Sequence, residues 1–204
     1  MSVLWYRFFI FQGRETVMAI RLDVPVLTTE RLIIRPIELT DTDDLFEICA
    51  DPRVNDWLSY PLYHEKEKVR EYIEMILNDP VLKHIPPHYV LVEKKSGKMI
   101  GTCDFVKSVD GVSEIGYSLN YNYWGQGYMS EALPAVIQTG FEHIGFRRIE
   151  IRALEANQRS IRVVEKAGFV YEGTQRKAAY DKISRDYMDV RCYSLLKEDW
   201  EEQK

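Results

Sequence analysis

Two short stretches carry residues whose types and spacing suit chemistry. In the first, Glu114-Ile115-Gly116-Tyr117-Ser118-Leu119 leads into Asn122-Tyr123-Trp124-Gly125-Gln126-Gly127-Tyr128. Glycines two apart let the backbone turn sharply and approach a ligand closely. If a helix starts directly after them, its first free N–H groups point outward with the positive end of the helix dipole. That arrangement cradles phosphate. No Gly-Lys-Ser/Thr follows and a third glycine is missing, so neither a P-loop nor a dinucleotide fingerprint is present. The same glycines also suit an ordinary turn. In the second stretch, Asn157-Gln158-Arg159-Ser160 opens a run that ends Lys166-Ala167-Gly168-Phe169. Asn157 is a good helix N-cap, and Ser160 by itself reads as a first-turn surface serine.

The elements that must hold these stretches follow from periodicity and punctuation. Residues 31–36 read as a strand closed by Pro36, and Thr40 to Asp43 supply cap residues for a helix through Leu45, Ile48 and Cys49. A second helix is predicted from Glu65 to Leu77, and Pro80, Pro86 and Pro87 mark a loop. Strands are predicted at 88–93, 99–106 and 114–119, with Asp110-Gly111 as a hairpin turn. A helix covers Met129 to Phe141, with Pro134 expected to kink or restrict it locally. Then come a strand at 149–153, a helix from Gln158 to Lys166 with Gly168 at its C-cap, a short strand at 169–172 and a longer one at 187–195. Antiparallel hairpins followed by strand–helix–strand units predict one α/β (α+β) domain: a twisted mixed sheet with helices on both faces.

Composition narrows the class. The chain has 204 residues, 46% hydrophobic and 29% charged, enough for one substantial core. A net charge of −5 argues against a dedicated nucleic-acid binder and would favour a basic acceptor. Cys49, Cys103 and Cys192 are scattered and odd in number, which points away from a disulfide framework and toward a reducing, cytoplasmic setting. His84 and His88 flank Pro86 and Pro87, so their spacing is not that of a helical metal pair, and no metal is expected. The aromatic segment Val3 to Phe11 is too short to span a bilayer and is interrupted by Arg7, so no membrane association is expected. It reads either as a segment packed on the domain or as an extension before a start at Met18. Residues 1–20 are taken as an N-terminal extension and 21–204 as the domain.

Together the two stretches resemble the GCN5-related N-acetyltransferase (GNAT) superfamily, and within it the ribosomal-protein N-terminal acetyltransferases of the RimJ/RimL type. The resemblance runs from Thr28 to the C-terminus. It takes in Thr28-Thr29-Glu30-Arg31-Leu32-Ile33-Ile34-Arg35, Ile100-Gly101, residues 114–131 and 157–169, and the closing Asp186-Tyr187-x-Asp189-Val190. It implies a mostly antiparallel sheet with a splayed central strand pair. The family's pyrophosphate turn, Q/R-x-x-G-x-G/A, falls on Asn122 to Gly127, with Asn122 in place of the leading Gln or Arg. Phosphates would then lie on the amides of Gly125, Gln126, Gly127, Tyr128 and Met129, beside Trp124. The pantetheine arm would lie between the strand holding Tyr117, Ser118 and Leu119 and the strand at 149–153, with Asn157 binding it.

The reaction so implied moves acetyl from acetyl-CoA to an amine. A neutral amine attacks a thioester, an oxyanion forms, and a thiolate leaves. Backbone amides near Tyr117 to Leu119 would stabilise the oxyanion. By resemblance Glu114 is the base and Ser160 bonds the departing sulfur, with Tyr117 and Tyr121 as alternatives for proton transfer. Glu131 reads as structural. Arg159 and Arg162 suit either the adenosine 3′-phosphate or surface ion pairs, and Trp57 and Tyr60 either an acceptor pocket or the core. An α-amine, with a reference pKa of about 7.7–8.0 against about 10.4 for lysine, is more often neutral near pH 7. That favours a protein N-terminus, by resemblance a ribosomal one, over lysine. A small-molecule amine (antibiotic, polyamine or amino-acid-like metabolite) and a non-catalytic CoA-binding module are the competing readings. The segment from Asp51 to Pro87 is expected to shape acceptor choice, and the chain is expected to be a monomer or a homodimer.

Overall fold

The computed structural model describes residues 25–58, 60–78, 88–182 and 184–204. The expected extension at 1–20 and the loop at Pro80, Pro86 and Pro87 lie outside the described residues.

Eight strands form one sheet in the order β1-β2-β3-β4-β5-β6-β8-β7. They are β1 (Leu27–Thr28), β2 (Leu32–Pro36), β3 (Tyr89–Glu93), β4 (Met99–Val109), β5 (Val112–Leu119), β6 (Arg148–Leu154), β7 (Val170–Asp181) and β8 (Asp186–Leu196). Every neighbouring pair is antiparallel except β5 and β6. The helices are α1 (Thr42–Cys49), α2 (Pro52–Asn55), α3 (Lys66–Asn78), α4 (Tyr128–Thr139), α5 (Gln158–Lys166) and α6 (Lys197–Glu202).

Period-2 alternation sends side chains to two cores. Leu32, Ile34, Tyr89 and Leu91 enter one, with Ile115 and the apolar residues of α4 and α5. Their strand neighbours Val90 and Val92 enter the other, with Met99 and the inner stripes of α1 and α3. The sheet is therefore covered on both faces. Asp110 and Gly111 both take positive φ (52° and 74°), the conformation an Asp-Gly hairpin turn favours. Gly101 is needed for a different reason: a Cβ there would lie 2.5 Å from the Ser118 carbonyl oxygen. The β4–β5 backbones meet too closely for any side chain.

Three features depart from the sequence reading. Helix α4, which contains Pro134, gives way to a π turn at Gly140–Ile144, where the sequence reading continued the helix to Phe141. Strand β7 extends to Asp181, well beyond the predicted end at Glu172. It is a mostly exposed edge strand, so no alternation of apolar residues marks it. Its ladder with β8 breaks between Gln175 and Ala179, where Lys177 (φ 48°) donates its N–H to Asp189 Oδ1 at 2.8 Å. The hairpin then ends at Lys182, whose ammonium bonds Asn55 Oδ1 at 2.8 Å and the Tyr60 carbonyl. The short helices α2 and α6 were also not predicted. No helix among the described residues is long and apolar enough to cross a membrane.

Candidate active site

The parallel pairing of β5 with β6 covers only Val112↔Arg148, Ser113↔Ile149 and Glu114↔Glu150. Beyond Glu114 the two strands part. The Asn120 N–H bonds the Ile100 carbonyl of β4 at 2.8 Å, so by strand alternation Leu119 and Tyr117 turn their backbone groups the other way, into the gap. The Leu119 carbonyl there accepts the Trp124 indole N–H at 2.7 Å. Ser118 faces β4 with its backbone, and its hydroxyl meets Thr102 Oγ1 at 3.0 Å on the far face. Of the three residues predicted to line the gap, Tyr117 and Leu119 do so with their backbones and Ser118 does not.

At the mouth of the gap the glycine turn has the geometry that the sequence suggests. Gly125 and Gly127 take φ of 72° and 81°, in the left-handed region where other residues are strained. Gly127 is the N-cap of α4 and offers no side chain to the helix terminus. The N–H groups of Tyr128 and Met129 are therefore left for an anion.

A long-range clasp fixes this turn. Glu131, one turn into α4, accepts the Thr29 hydroxyl (2.5 Å), the Arg31 backbone N–H (2.7 Å) and Arg31 Nε (2.6 Å). Arg31 also donates to the Gln126 carbonyl at 2.9 Å and lies over the Tyr128 ring at 4.2 Å. Burial works against the Glu131 carboxylate, but the bonds from Thr29 and Arg31 outweigh it and hold its pKa below the usual range. Glu131 is thus structural, as predicted. Its partners Thr29 and Arg31, about one hundred residues earlier, carry no local signal and were not predicted as such.

Across the gap, Asn157 caps α5 by accepting the Ser160 N–H on its Oδ1 at 3.1 Å. The cap engages the oxygen alone and leaves the –NH2 as a donor. Ser160 Oγ lies 2.7 Å from the Tyr117 hydroxyl, so β5 and α5 meet through that pair. Burial pushes the Tyr117 phenol up to about 12, against the bond from Ser160, so it remains protonated at neutral pH. Arg159 sits 5.3 Å over the Trp124 ring, and Arg53 lies 3.7 Å over Tyr121, which packs on Trp124. Arg162 is exposed. Tyr60 and Trp57 are part-buried; Tyr60 packs on the second core, where it accepts the Cys49 thiol at 3.7 Å.

Glu114 occupies the last paired position before the strands part, three residues from Tyr117. Odd spacing puts it on the opposite face of the sheet from Tyr117 and Ser160. Burial raises its pKa; Arg152 and Lys107 work against that, and Glu150 adds to it. Glu150 is itself bonded to Arg148 Nε at 2.7 Å. A carboxylate with a raised pKa at the edge of a backbone gap is placed to accept a proton. No group of three or more His, Cys, Asp or Glu among the described residues could hold a metal.

The chain resembles known proteins over most of its length. Residues 31–170 match the family described as "Acetyltransferase (GNAT) domain". The N-acetyltransferase p20 of Bacillus licheniformis is 35% identical over 176 residues, covering 85% of this chain and 97% of that one. The ribosomal-protein-serine acetyltransferase of Escherichia coli is 31% identical over 104 residues, covering 50% of this chain and 57% of that one. The crystal structure of a GNAT-family acetyltransferase from Bacillus anthracis superposes with a TM-score of 0.75 at 25% identity, covering 85% of this chain and 99% of that one.

Proposed function

Because the chain belongs to the GNAT acetyltransferase family and is an N-acetyltransferase that uses acetyl-CoA, we propose that its acceptor is the α-amino group of a protein N-terminus, a ribosomal protein in the first instance. One observation supports the donor half most directly. The left-handed Gly125 and Gly127 open α4 at the mouth of a gap between two strands that are paired below it. A pyrophosphate fits the free amides of that helix start, and an extended amide-bearing arm fits the gap. Support for the ribosomal acceptor is the likeness to the Escherichia coli enzyme over half of this chain.

In this reading Glu114 takes a proton from the acceptor ammonium, R–NH3+ giving R–NH2. The amine nitrogen attacks the thioester carbon, and the Tyr117 or Leu119 amide receives the oxyanion. When the C–S bond breaks, the sulfur leaves as a thiolate, Ser160 Oγ–H donates a hydrogen bond to it while bonded to Tyr117 Oη, and the thiolate then takes a proton from solvent. The thiolate has a reference pKa of about 8.5, so one hydroxyl donor is adequate help. The amine retains a proton after attack, which it loses to solvent as the amide forms.

Calorimetric titration with acetyl-CoA tests the donor site. Wild type is expected to bind. Gly127→Trp, which forces an indole into the turn at φ 81°, is expected to abolish binding while the fold, read by circular dichroism, persists. Undiminished binding by the variant would sink the phosphate assignment. Turnover of a peptide bearing the ribosomal-type N-terminus, against spermidine as a small amine, then decides the acceptor.

A further inference from the structure

Two side-chain contacts join β5 and its following turn to α5 across the gap, and neighbouring residues of α5 make both. Ser160 meets the Tyr117 hydroxyl at 2.7 Å. Arg159 reaches Trp124, its guanidinium carbon 5.3 Å from the ring centre. The two contacts lie at different depths. Trp124 is bonded to Leu119, two residues beyond Tyr117 along β5 and so about 7 Å closer to the mouth. An extended chain laid along the gap from the glycine turn toward Ser160 passes the outer contact before it reaches the inner one.

The two halves of the outer contact are held differently. The indole is fixed: its N–H bonds the Leu119 carbonyl at 2.7 Å, and its ring packs on the second core. Tyr121 lies against it at 5.1 Å and is itself covered by Arg53 of α2 at 3.7 Å. Arg159 is exposed, and no carboxylate among the described residues pairs with it. Arg31, Arg35, Arg53, Arg148 and Arg191, by contrast, each hold one. A guanidinium whose one partner is a ring face at an exposed site is weakly held, and its long stem swings freely.

We propose that Trp124 and Arg159 form a strap that closes over the pantetheine arm of the donor, the indole as its fixed half and the guanidinium as its moving half. The assignment rests on the acetyl-transfer reading above, which lays that arm in the gap. The arm is a flexible chain of single bonds, and strand amides hold it along one edge only. A strap across its outer stretch slows its departure and adds no contact to the phosphates. Neither residue touches a reacting atom; together they position the donor and set its residence time.

The test is surface plasmon resonance on the full chain with two analytes. One is CoA; the other is adenosine 3′-phosphate 5′-diphosphate, which keeps every phosphate of CoA and lacks the arm. Arg159→Ala is expected to speed CoA release about three- to fivefold, the size of one exposed cation–ring contact, and to leave the armless nucleotide unchanged. Trp124→Leu is expected to speed CoA release at least as much. The double variant should release CoA no faster than Trp124→Leu, because the same contact is lost in both. Equal weakening of both analytes by Arg159→Ala would make Arg159 a phosphate ligand and overturn the strap. Unchanged CoA release in Arg159→Ala overturns it too, as do rate increases that multiply in the double variant. Absence of CoA binding by wild type would instead overturn the donor-site reading, and the strap with it.

Discussion

Glu114 shows how one side chain can be costly to the fold and, as the proposed base, useful to the reaction. Burial raises its pKa, so the folded chain holds that proton more tightly than the unfolded chain does. The sign follows: the Glu114 contribution to stability is fully present below the unfolded pKa and is lost as pH rises through the raised folded value. Glu114→Gln should therefore be more stable than wild type at pH 8, and the difference should vanish in acid, where wild type is protonated too. Thermal melts at the two pH values measure this. In kinetics the charge has the opposite value. Wild-type kcat/KM should rise with pH as Glu114 deprotonates, and Glu114→Gln should lose that limb and about 10²–10⁴ in rate. A retained limb in the variant would move the base to another group.

At the scale of elements, the turn before α4 depends on residues far from it in sequence. Arg31 joins β2 to the turn through the Gln126 carbonyl and to α4 through Glu131. Arg31→Ala removes charged hydrogen bonds of about 1.5–3 kcal/mol each in buried settings. Arg31 is 39% exposed, so solvent screening brings the expected loss of stability to about 1 kcal/mol. Acetyl-CoA binding should weaken about tenfold as the turn loosens, and Arg31→Lys should not restore it, because an ammonium lacks the fork that spans both partners. Denaturant titration and calorimetry read the two effects.

This clasp also marks how far the sequence was legible. Signals confined to a few residues were readable: Asp110-Gly111 as a turn, Asn157 as the cap of α5, and Gly125-x-Gly127 as the opening of α4. Signals that exist only when distant segments meet were not. The length of β7 comes from its ladder with β8, the π turn from chain packing at Gly140, where a Cβ would lie 3.0 Å from Phe105 and Ile149, and the Trp124–Leu119 bond from a rotamer choice. The separation of Glu114 from Ser160 by the sheet itself follows from strand parity, which becomes informative only once the facing helices are known.

For the whole molecule, the brief β5–β6 ladder divides the sheet into two contiguous pieces. Strands β1 to β5 occupy 27–119, and β6 to β8 occupy 148–196. The chain passes between them once, through α4 and the left-handed Gly145. The two pieces share one core, where Ile149, Ile151, Ile161 and Val164 pack with Ile115 and the apolar residues of α4, and they are tied further by Tyr117 to Ser160, Lys182 to Asn55 and Phe141 on Trp200. A protein built this way is a natural candidate for fragment complementation. Cut after Gly145 and co-expressed, residues 1–145 and 146–204 should reassemble, because each carries its own run of paired strands. A ligand lying along the seam touches both fragments, so acetyl-CoA should tighten their association by mass action. Fluorescently labelled halves would then report the nucleotide's concentration as a change in energy transfer. The parting of two strands proposed to admit the donor is also what makes the polypeptide divisible.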